Sequence, residues 1–489
     1  MEIGVLIFLT SGLFLGWALG ANDAANVFGT AVGTRMVSFS TAAIICSIFV
    51  ILGAVVSGAG AAHTLGKLGA VNALPGAFMA AFSAALSVYL MTKAGLPVST
   101  SQAIVGGIIG WNLFSGTLTD AATLTKIMST WVLCPVLAAV FGAAIFKLTV
   151  RVLRWAKMHL IRVDAYTRLG LILAGAFGSY SLGANNIANV MGVFVPSSPF
   201  NDISVAGLFT MTSAQQLFLI GAIAIAVGVF TYSKRVMLTV GNELLPLSPI
   251  AAWVAVVSHS IVLFLFASQG LKHLLESSGL PSIPLVPVSS SQAVVGAVLG
   301  IALVQGGRGF RWRVFGSISL GWVITPVIAC AICFVGLFFL QNVFNQNTYR
   351  EVPYLVSQQV IDKLAKEGVA PSALGAVKGE RYENAMALDE ALKDIGHYGE
   401  ADHKRIMRFA RRDPVVIDRA HFTELNRGPL SSERLEVVHA INGQYYPYEW
   451  MLREDLAKRS KAWRQSSDKE YNRQLERDLQ FVIRLFRAE

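Results

Sequence analysis

The sequence predicts an all-α polytopic membrane protein built from two inverted repeats with broken helices or hairpins, followed by a soluble helical tail. Three observations predict this class. The 489 residues are 54% hydrophobic and only 14% charged, and their mean hydropathy is +0.55. Apolar stretches of about 20 residues, the length that a bilayer-crossing helix needs, recur along residues 1–350. Two polar motifs interrupt those stretches, and each motif occurs twice.

The apolar stretches form two sets of five. The first set lies near 2–34, 39–62, 75–95, 97–117 and 123–149, and the second near 169–196, 204–232, 250–271, 284–305 and 314–344. A basic segment separates the sets, and a highly charged segment follows them. The expected domains are membrane repeat 1 over 1–150, a basic connector over 151–168, membrane repeat 2 over 169–344, and a soluble charged tail over 345–489.

The two sets are internal repeats, because three segments recur in the same order. The matching pairs are "GANDAANVFG" (20–29) with "GANNIANVMG" (183–192), "PVSTSQAIVGGIIG" (97–110) with "PVSSSQAVVGAVLG" (287–300), and "WVLCPVLAA" (131–139) with "WVITPVIAC" (322–330). An odd number of crossings in each repeat turns the second copy upside down in the membrane. This inverted plan is typical of secondary transporters.

The charge distribution predicts the orientation. Residues 1–350 contain 17 basic residues (Lys and Arg) and 7 acidic residues (Asp and Glu), whereas the tail from 351 contains 23 basic and 23 acidic residues. Placing the connector on the cytoplasmic side also brings most of the basic residues there, as the positive-inside rule requires. We therefore expect a multi-pass protein of the cell inner (plasma) membrane, with both termini outside. No basic surface with interleaved aromatic residues indicates nucleic-acid binding.

The composition of the tail predicts a small helical appendage that serves assembly or regulation. Its amphipathic patches, such as "VSQQVIDKLAKEG" and "EWMLREDLAKRS", predict helices. It contains no nucleotide loop, nucleophile elbow or metal-ligand spacing. The whole chain likewise lacks a nucleophile–base pair or metal cluster, so we expect neither an enzyme nor a bound cofactor.

The hydroxyl runs predict an anion site. Pro97 and Pro287 can each end one segment and begin the next helix. The first turn of a helix presents free N–H groups and the positive end of the helix dipole, both of which attract anions. The hydroxyls expected there are Ser99, Thr100 and Ser101 in one repeat and Ser289, Ser290 and Ser291 in the other. Inverted copies would direct both helix ends at one point, which suits a tetrahedral oxyanion. The simpler alternative is helix capping alone.

Asp23 is the one acid inside a repeated membrane motif. An ionisable group at that depth indicates function. Asn22 and Asn26 lie within about one helical turn of it, although asparagines in small-residue helices also serve as packing contacts. Three roles remain open for Asp23: to bind a driving cation, to accept the hydroxyl proton of hydrogen phosphate, or to carry a transported proton. His259 is a second titratable group at membrane depth and an alternative coupling residue.

The doubled motifs resemble the signature of the inorganic phosphate transporter (Pit) family over about residues 1–344. The resemblance implies symport of phosphate with a cation, either sodium or a proton. It also implies a substrate site made by both repeats, with Asn186 as the counterpart of Asp23 in coupling. The substrate-binding positions implied are Asn22, Asn26, Ser99, Thr100, Ser101, Asn185, Asn189, Ser289, Ser290 and Ser291.

The sequence also departs from the family pattern. Asn186 stands where the second motif usually has aspartate, and Val50 and Val256 stand where related sequences often carry glutamate. The coupling ion, any metal and a homo-oligomeric state therefore stay open. Two other functions also stay open. One is a permease for sulfate or another oxyanion, and the other is a membrane sensor or scaffold whose core only binds ligand.

Overall fold

The computed structural model describes residues 3–69, 71–93, 98–205, 209–240, 247–307, 310–396 and 398–488. The chain divides into two compact units. The first comprises residues 1–114 and 118–350, and the second comprises 115–117 and 351–489. Pro97 lies outside the described residues.

The first half of the membrane unit contains six helices. They are α1 (Ile3–Gly33), α2 (Phe39–Ser57), α3 (Ala59–Leu68), α4 (Leu74–Lys93), α5 (Thr100–Ser115) and α6 (Ala121–Ala156). The second half has a similar series of helices and also contains a strand pair. Its elements in chain order are α7 (Leu160–Met191), β1 (Ile203–Val205), β2 (Phe209–Met211), α8 (Ser213–Thr231), α9 (Ser233–Val240), α10 (Pro249–Ala267), α11 (Gln269–Ser277), α12 (Ser290–Val304) and α13 (Trp312–Asn342).

Seven described helices are long and apolar enough to cross a membrane, namely α1, α2, α4, α6, α8, α10 and α13. The sequence predicts ten crossings, and the three predicted crossings outside this group correspond to α5, α7 and α12, which carry the repeated polar motifs. α5 has 16 residues and α12 has 15, which is short of the roughly 20 needed for a full crossing. α7 is outside the group of seven, and its motif half carries three buried asparagines. The chain is thus a helical, multi-pass membrane protein with short helices after α4 and α10.

Two predicted ranges differ from the elements of the structure. The basic connector 151–168 is mostly helical, because α6 continues to Ala156 and α7 begins at Leu160. Only a short turn separates them, in which Lys157 has a left-handed backbone with φ of 44°. The predicted span 204–232 begins with the antiparallel pair β1–β2, where Ile203 faces Met211. α8 starts only after this hairpin, with Thr212 and Gln215 forming a capping box.

Helices α1 and α7 are continuous through their motif glycines. These glycines permit close helix packing. A Cβ on Gly20 would lie 1.9 Å from the carbonyl oxygen of Ile225, and one on Gly183 would lie 2.1 Å from that of Val50. Only glycine tolerates so close a backbone approach. The motif glycines therefore fix α1 against α8 and α7 against α2.

The same contacts recur in both halves. Gly106 packs on the carbonyl of Pro326, and Gly296 packs on that of Pro135, so each serine-rich helix lies against the last helix of the other repeat. α1 and α7 run in opposite directions, since Gly16 lies near Val190 whereas Phe28 lies near Gly175. An inverted repeat requires this antiparallel arrangement. Which end faces the cytoplasm stays a prediction.

The second unit contains helices together with two strand pairs that the sequence does not predict. In chain order its elements are β3 (Tyr354–Leu355), α14 (Gln358–Lys366), β4 (Arg381–Tyr382), α15 (Ala385–Ile395), α16 (Glu400–Ala410), β5 (Val415–Val416), α17 (Phe422–Asn426), α18 (Ser432–Ala440), β6 (Tyr445–Tyr446), α19 (Glu449–Arg459) and α20 (Lys469–Phe486). β3 pairs with β4 and β5 pairs with β6, both antiparallel.

This unit is itself a tandem repeat. "GERYENAMALDEAL" (379–392) aligns with "GQYYPYEWMLREDL" (443–456), and both segments run from a left-handed glycine through a strand into a helix. The leucines of the two copies lie in two apolar clusters, with Leu388 and Leu392 in one and Leu452 and Leu456 in the other, and Tyr448 of the second copy also packs into the first cluster.

Candidate anion-binding site

The serine-rich helices α5 and α12 begin with matching N-caps. Ser99 Oγ accepts a hydrogen bond from the backbone N–H of Gln102 at 3.3 Å, and Ser289 Oγ accepts one from Gln292 at 3.2 Å. The first hydroxyl of each run therefore satisfies its own helix, as the capping alternative expects. Pro287 precedes the cap by two residues and is not part of the first turn. The other four hydroxyls have different partners.

The two helix starts meet through reciprocal contacts. Ser101 Oγ donates to the carbonyl of Val288 at 3.1 Å, and Ser291 Oγ donates to that of Val98 at 3.4 Å. All six hydroxyl side chains of the two runs are buried. The hydroxyls that the sequence singles out in each repeat therefore lie together in the core of the membrane unit.

Asp23 lies at one side of this junction, where it is buried with 4% of its surface exposed. Its carboxylate accepts long hydrogen bonds from Thr100 Oγ1 at 3.5 Å and from Asn26 Nδ2 at 3.4 Å. Asn26 also donates to Ser290 Oγ at 3.0 Å. Asp23 and Asn26 on α1 are thus joined to a hydroxyl from each repeat.

The second motif forms a neutral counterpart. Asn189 Nδ2 donates to Asn186 Oδ1 at 2.9 Å and to Ser101 Oγ at 2.8 Å. Among the described residues, no partner lies within hydrogen-bond distance of Asn186 Nδ2 or Asn189 Oδ1, although both atoms are buried. Buried polar atoms are usually satisfied, so these two are available to a ligand.

His259 joins the site from α10. Its Nε2 lies 2.9 Å from Ser290 Oγ, and its side chain is fully buried. Aligning "SAALSVYL" (83–90) with "SHSIVLFL" (258–265) makes Ala84 its counterpart, so the first repeat has no equivalent group. The sequence marked His259 as titratable, but nothing in the spacing predicts its contact with Ser290.

The first asparagines of the two motifs have different surroundings. Asn185 Oδ1 accepts from the N–H of Val288 at 2.9 Å, and its Nδ2 donates to the carbonyl of Val286 at 3.2 Å. It therefore holds the extended segment that leads into α12. Asn22 instead donates to Thr92 Oγ1 at 2.9 Å and faces a separate cavity. The structure does not bring Asn22 into the hydroxyl cluster.

The site as a whole offers neutral donors and one carboxylate. The site contains two helix N-termini, the four hydroxyls that do not cap a helix, and the asparagine amides. Val50 and Val256 are buried apolar residues and add no acid to the site. Within the described ranges, no group of three or more His, Cys, Asp or Glu side chains could hold a metal ion. This arrangement suits an oxyanion that is bound without a permanent cationic side chain.

The fold and this paired site define the class of a helical membrane transporter with two repeats. The sequence profile of the phosphate transporter family matches residues 19–333 and also 283–476. The chain therefore belongs to the phosphate transporter family, and membership of a permease family indicates transport rather than enzymatic catalysis.

Individual relatives agree with this assignment. A protein of Methanocaldococcus jannaschii that carries the name of a phosphate permease is 28% identical over 336 residues, covering 68% of this chain and 97% of its own length. The sulfate permease CysP of Bacillus subtilis is 27% identical over 394 residues, covering 78% of this chain and 97% of itself. The fold resembles a solved sodium-dependent phosphate transporter, with a TM-score of 0.53, 23% identity, and coverage of 69% of this chain and 99% of that chain.

Proposed function

We propose that this protein is a secondary active transporter that carries inorganic phosphate across the cell inner membrane together with a coupling cation. The observation that carries the proposal is the meeting of two serine-rich helix N-termini, one from each repeat, through Ser101 and Ser291. Converging N–H groups and hydroxyls bind an anion without a fixed positive charge. Such a site can also release its anion, which a carrier must do.

Asp23 favours phosphate over sulfate. A carboxylate beside the anion accepts a hydrogen bond from a ligand hydroxyl, and hydrogen phosphate carries a hydroxyl whereas sulfate does not. Thr100 connects Asp23 to the start of α5, where the anion would bind. Sulfate is the second candidate, because Asn186 removes the carboxylate that would accept a proton in the other motif and because CysP is a similar protein named as a sulfate permease.

Sodium is the coupling ion we favour. The Asp23 carboxylate and the Thr100 hydroxyl lie together, and hard cations are bound by oxygen ligands of these kinds. The structural relative is also named as sodium-dependent. A proton carried by Asp23 is the alternative. A pure sensor is disfavoured, because both repeats keep their half of the site.

Uptake into reconstituted vesicles tests the proposal. Labelled phosphate and labelled sulfate are supplied separately, with a sodium gradient or a proton gradient imposed alone. We expect concentrative phosphate uptake driven by sodium, and strongly reduced uptake at low phosphate concentration in a variant that carries both Ser101→Ala and Ser291→Ala. Sulfate uptake without phosphate uptake would identify the second candidate. Uptake of neither anion under either gradient would reject the transporter.

A further inference from the structure

Ser290 differs from the other hydroxyls of the site in the side chains that surround its oxygen. Asn26 Nδ2 donates to Ser290 Oγ at 3.0 Å, and His259 Nε2 lies 2.9 Å from the same oxygen. Asp23 orients the amide of Asn26, because the Nδ2 atom also lies 3.4 Å from the carboxylate oxygen Oδ1. A carboxylate attracts the NH₂ end of an amide and repels the oxygen end. Asn26 is therefore the donor in its bond to Ser290.

The direction of the bond between His259 and Ser290 follows from the two ring nitrogens. A neutral imidazole carries one proton, on either Nε2 or Nδ1. The His259 side chain is fully buried, and within the described ranges its Nδ1 has no hydrogen-bond partner. Buried N–H groups are rarely left without an acceptor, whereas unfilled acceptors are somewhat more common. The ring proton is therefore best placed on Nε2, from which His259 donates to Ser290.

With two donors directed at its oxygen, Ser290 has its own proton left for a third group. Four other hydroxyls of the two serine-rich helix starts have an acceptor inside the protein. Those four are Thr100, Ser101, Ser289 and Ser291. Among the described residues, no further acceptor lies within hydrogen-bond distance of Ser290 Oγ. The side chain is nevertheless buried, so its proton is available to a ligand.

We propose that His259 is a positioning residue, which holds Ser290 as a hydrogen-bond donor to the bound anion. The inference deepens the proposed function and rests on it for the presence of an oxyanion at the two helix starts. Ser290 is the first residue of α12, where backbone N–H groups without intrahelical partners already favour a negative charge. Its hydroxyl adds a donor whose direction is fixed before the anion arrives, and such preorganisation favours binding.

The first repeat uses the equivalent hydroxyl differently. Thr100 stands at the position of Ser290, and its Oγ1 donates to Asp23 at 3.5 Å. Ala84 stands at the position of His259 and has no polar group to offer. One repeat thus directs its second hydroxyl at the carboxylate, and the other directs it at the anion. Since phosphate and sulfate both have acceptor oxygens, His259 should strengthen the binding of either anion.

Equilibrium titration with labelled phosphate tests the proposal without transport, using the full chain in nanodiscs. His259→Met has a side chain of similar length that accepts weakly and cannot donate, whereas His259→Gln keeps an N–H donor at the end of its side chain. We expect Ser290→Ala to weaken phosphate binding about tenfold, which is the loss of one hydrogen bond to an anion. His259→Met should weaken it about fivefold, because the hydroxyl remains but is no longer directed, and His259→Gln should stay within about twofold of the wild type. Labelled sulfate is titrated in parallel, and the same order of variants is expected.

A double variant shows whether His259 acts through Ser290. If it does, the variant that carries both His259→Met and Ser290→Ala should bind phosphate as Ser290→Ala alone does, because the group that the histidine positions is already gone. Ser258→Ala is the matched control. It removes a buried hydroxyl at the adjacent position of α10, which donates to the carbonyl of Val254 in the same helix at 2.7 Å, and it should leave phosphate affinity unchanged.

The ring proton of His259 can also be observed directly. Nitrogen-15 NMR of histidine-labelled protein in the same nanodiscs distinguishes a protonated from an unprotonated ring nitrogen. The chain has eight histidines, so the signals of His259 are identified as those that are missing from a His259→Gln sample. We expect a protonated Nε2. This measurement decides the direction of the bond even if His259→Met does not fold.

An unprotonated Nε2 would overturn the inference, since Ser290 would then donate to the ring. The inference would also fail if the double variant bound phosphate about fivefold more weakly than Ser290→Ala, or if His259→Gln were as weak as His259→Met. Phosphate uptake in vesicles that continues in these cases leaves the proposed function intact. Conversely, His259-dependent phosphate binding without any uptake would reject transport and keep the positioning role.

Discussion

The two halves of the membrane unit share their backbone contacts and differ in the polar groups at their centre. Gly20 and Gly183 pack against carbonyl oxygens at nearly equal distances, and the serine caps of α5 and α12 are almost identical. In contrast, the first motif has Asp23 bonded to Thr100, and the second has Asn186 bonded to Asn189. The symmetric contacts determine the fold, whereas the asymmetric groups determine the charge of the site.

The asymmetry has a direct electrostatic consequence. A version with aspartate in both motifs would place two carboxylates beside a bound dianion, and each would need a cation or proton to offset it. This protein has one carboxylate there and has histidine beside Ser290 in the other half. We therefore expect one coupling ion from the first repeat, with the second repeat contributing neutral donors.

Exchanging the acid between the halves has the largest expected effect. Asp23→Asn should abolish accumulation of phosphate against its gradient, because the carboxylate that binds the cation is lost, while exchange of phosphate across the vesicle membrane continues. Asn186→Asp should add a second cation requirement, seen as a steeper dependence of uptake on sodium concentration. Accumulation and exchange in reconstituted vesicles measure both. Unchanged accumulation and ion dependence in Asp23→Asn would move the coupling role to His259.

The shared contacts predict equal damage when either is broken. Gly20→Ala and Gly183→Ala each place a methyl group about 2 Å from a backbone carbonyl oxygen, which neither helix can avoid without moving. Overpacking of this kind costs about 1–3 kcal/mol or more. We expect both variants to lose folded protein on detergent size-exclusion chromatography to a similar extent. Gly316→Ala on α13, where nothing lies within 4 Å of the added methyl, is the control and should be unaffected.

The repeat order and the hydroxyl positions are predictable from the sequence because they depend on local patterns. Pro, Ser and Gln recur at fixed spacing, and helix N-termini need capping groups wherever they occur. The role of the motif glycines, in contrast, does not follow from the sequence. Gly20 and Gly183 suit a broken helix as well as a close helix contact, and only the partner, a carbonyl on α8 or α2, distinguishes the two.

The other contacts that the sequence does not predict join residues that are distant in the chain. Asn22 and Asn185 occupy the same motif position, yet one faces Thr92 and the other holds Val286 and Val288. No spacing rule separates these outcomes. The tail repeat, by contrast, was visible as Gly379-x-x-Tyr382 and Gly443-x-x-Tyr446, each followed by paired leucines. The two copies are 64 residues apart, a longer period than that of common repeat proteins.

The first asparagines of the two motifs, Asn22 and Asn185, should contribute differently to thermal stability. Asn185→Ala removes two buried hydrogen bonds that hold the segment before α12, and each buried group left unsatisfied costs about 1–3 kcal/mol. Asn22→Ala removes one bond at the edge of an open cavity, where water replaces it. We expect a clear fall in thermal stability for Asn185→Ala and little change for Asn22→Ala. A larger loss in Asn22→Ala would contradict the different placements of the two residues.

The third hydroxyls of the two runs give the smallest expected difference. Ser101 receives a hydrogen bond from Asn189 at 2.8 Å and donates to Val288 at 3.1 Å, whereas Ser291 donates to Val98 at 3.4 Å and contacts Ser289 at 3.0 Å. Ser101 is therefore connected to Asn189, whose Oδ1 has no partner among the described residues, whereas Ser291 contacts only groups of the two helix starts. We expect Ser101→Ala to weaken phosphate binding about tenfold, which corresponds to about 1.4 kcal/mol, and Ser291→Ala to weaken it about threefold.

Titration of purified variants with labelled phosphate measures both affinities under the same salt. Ser101→Thr keeps the hydroxyl and should recover most of the lost affinity, which separates loss of the donor from a general packing defect. Equal losses in Ser101→Ala and Ser291→Ala would mean that the two helix starts contribute alike. The asymmetry of the site would then be confined to Asp23, Asn186 and His259.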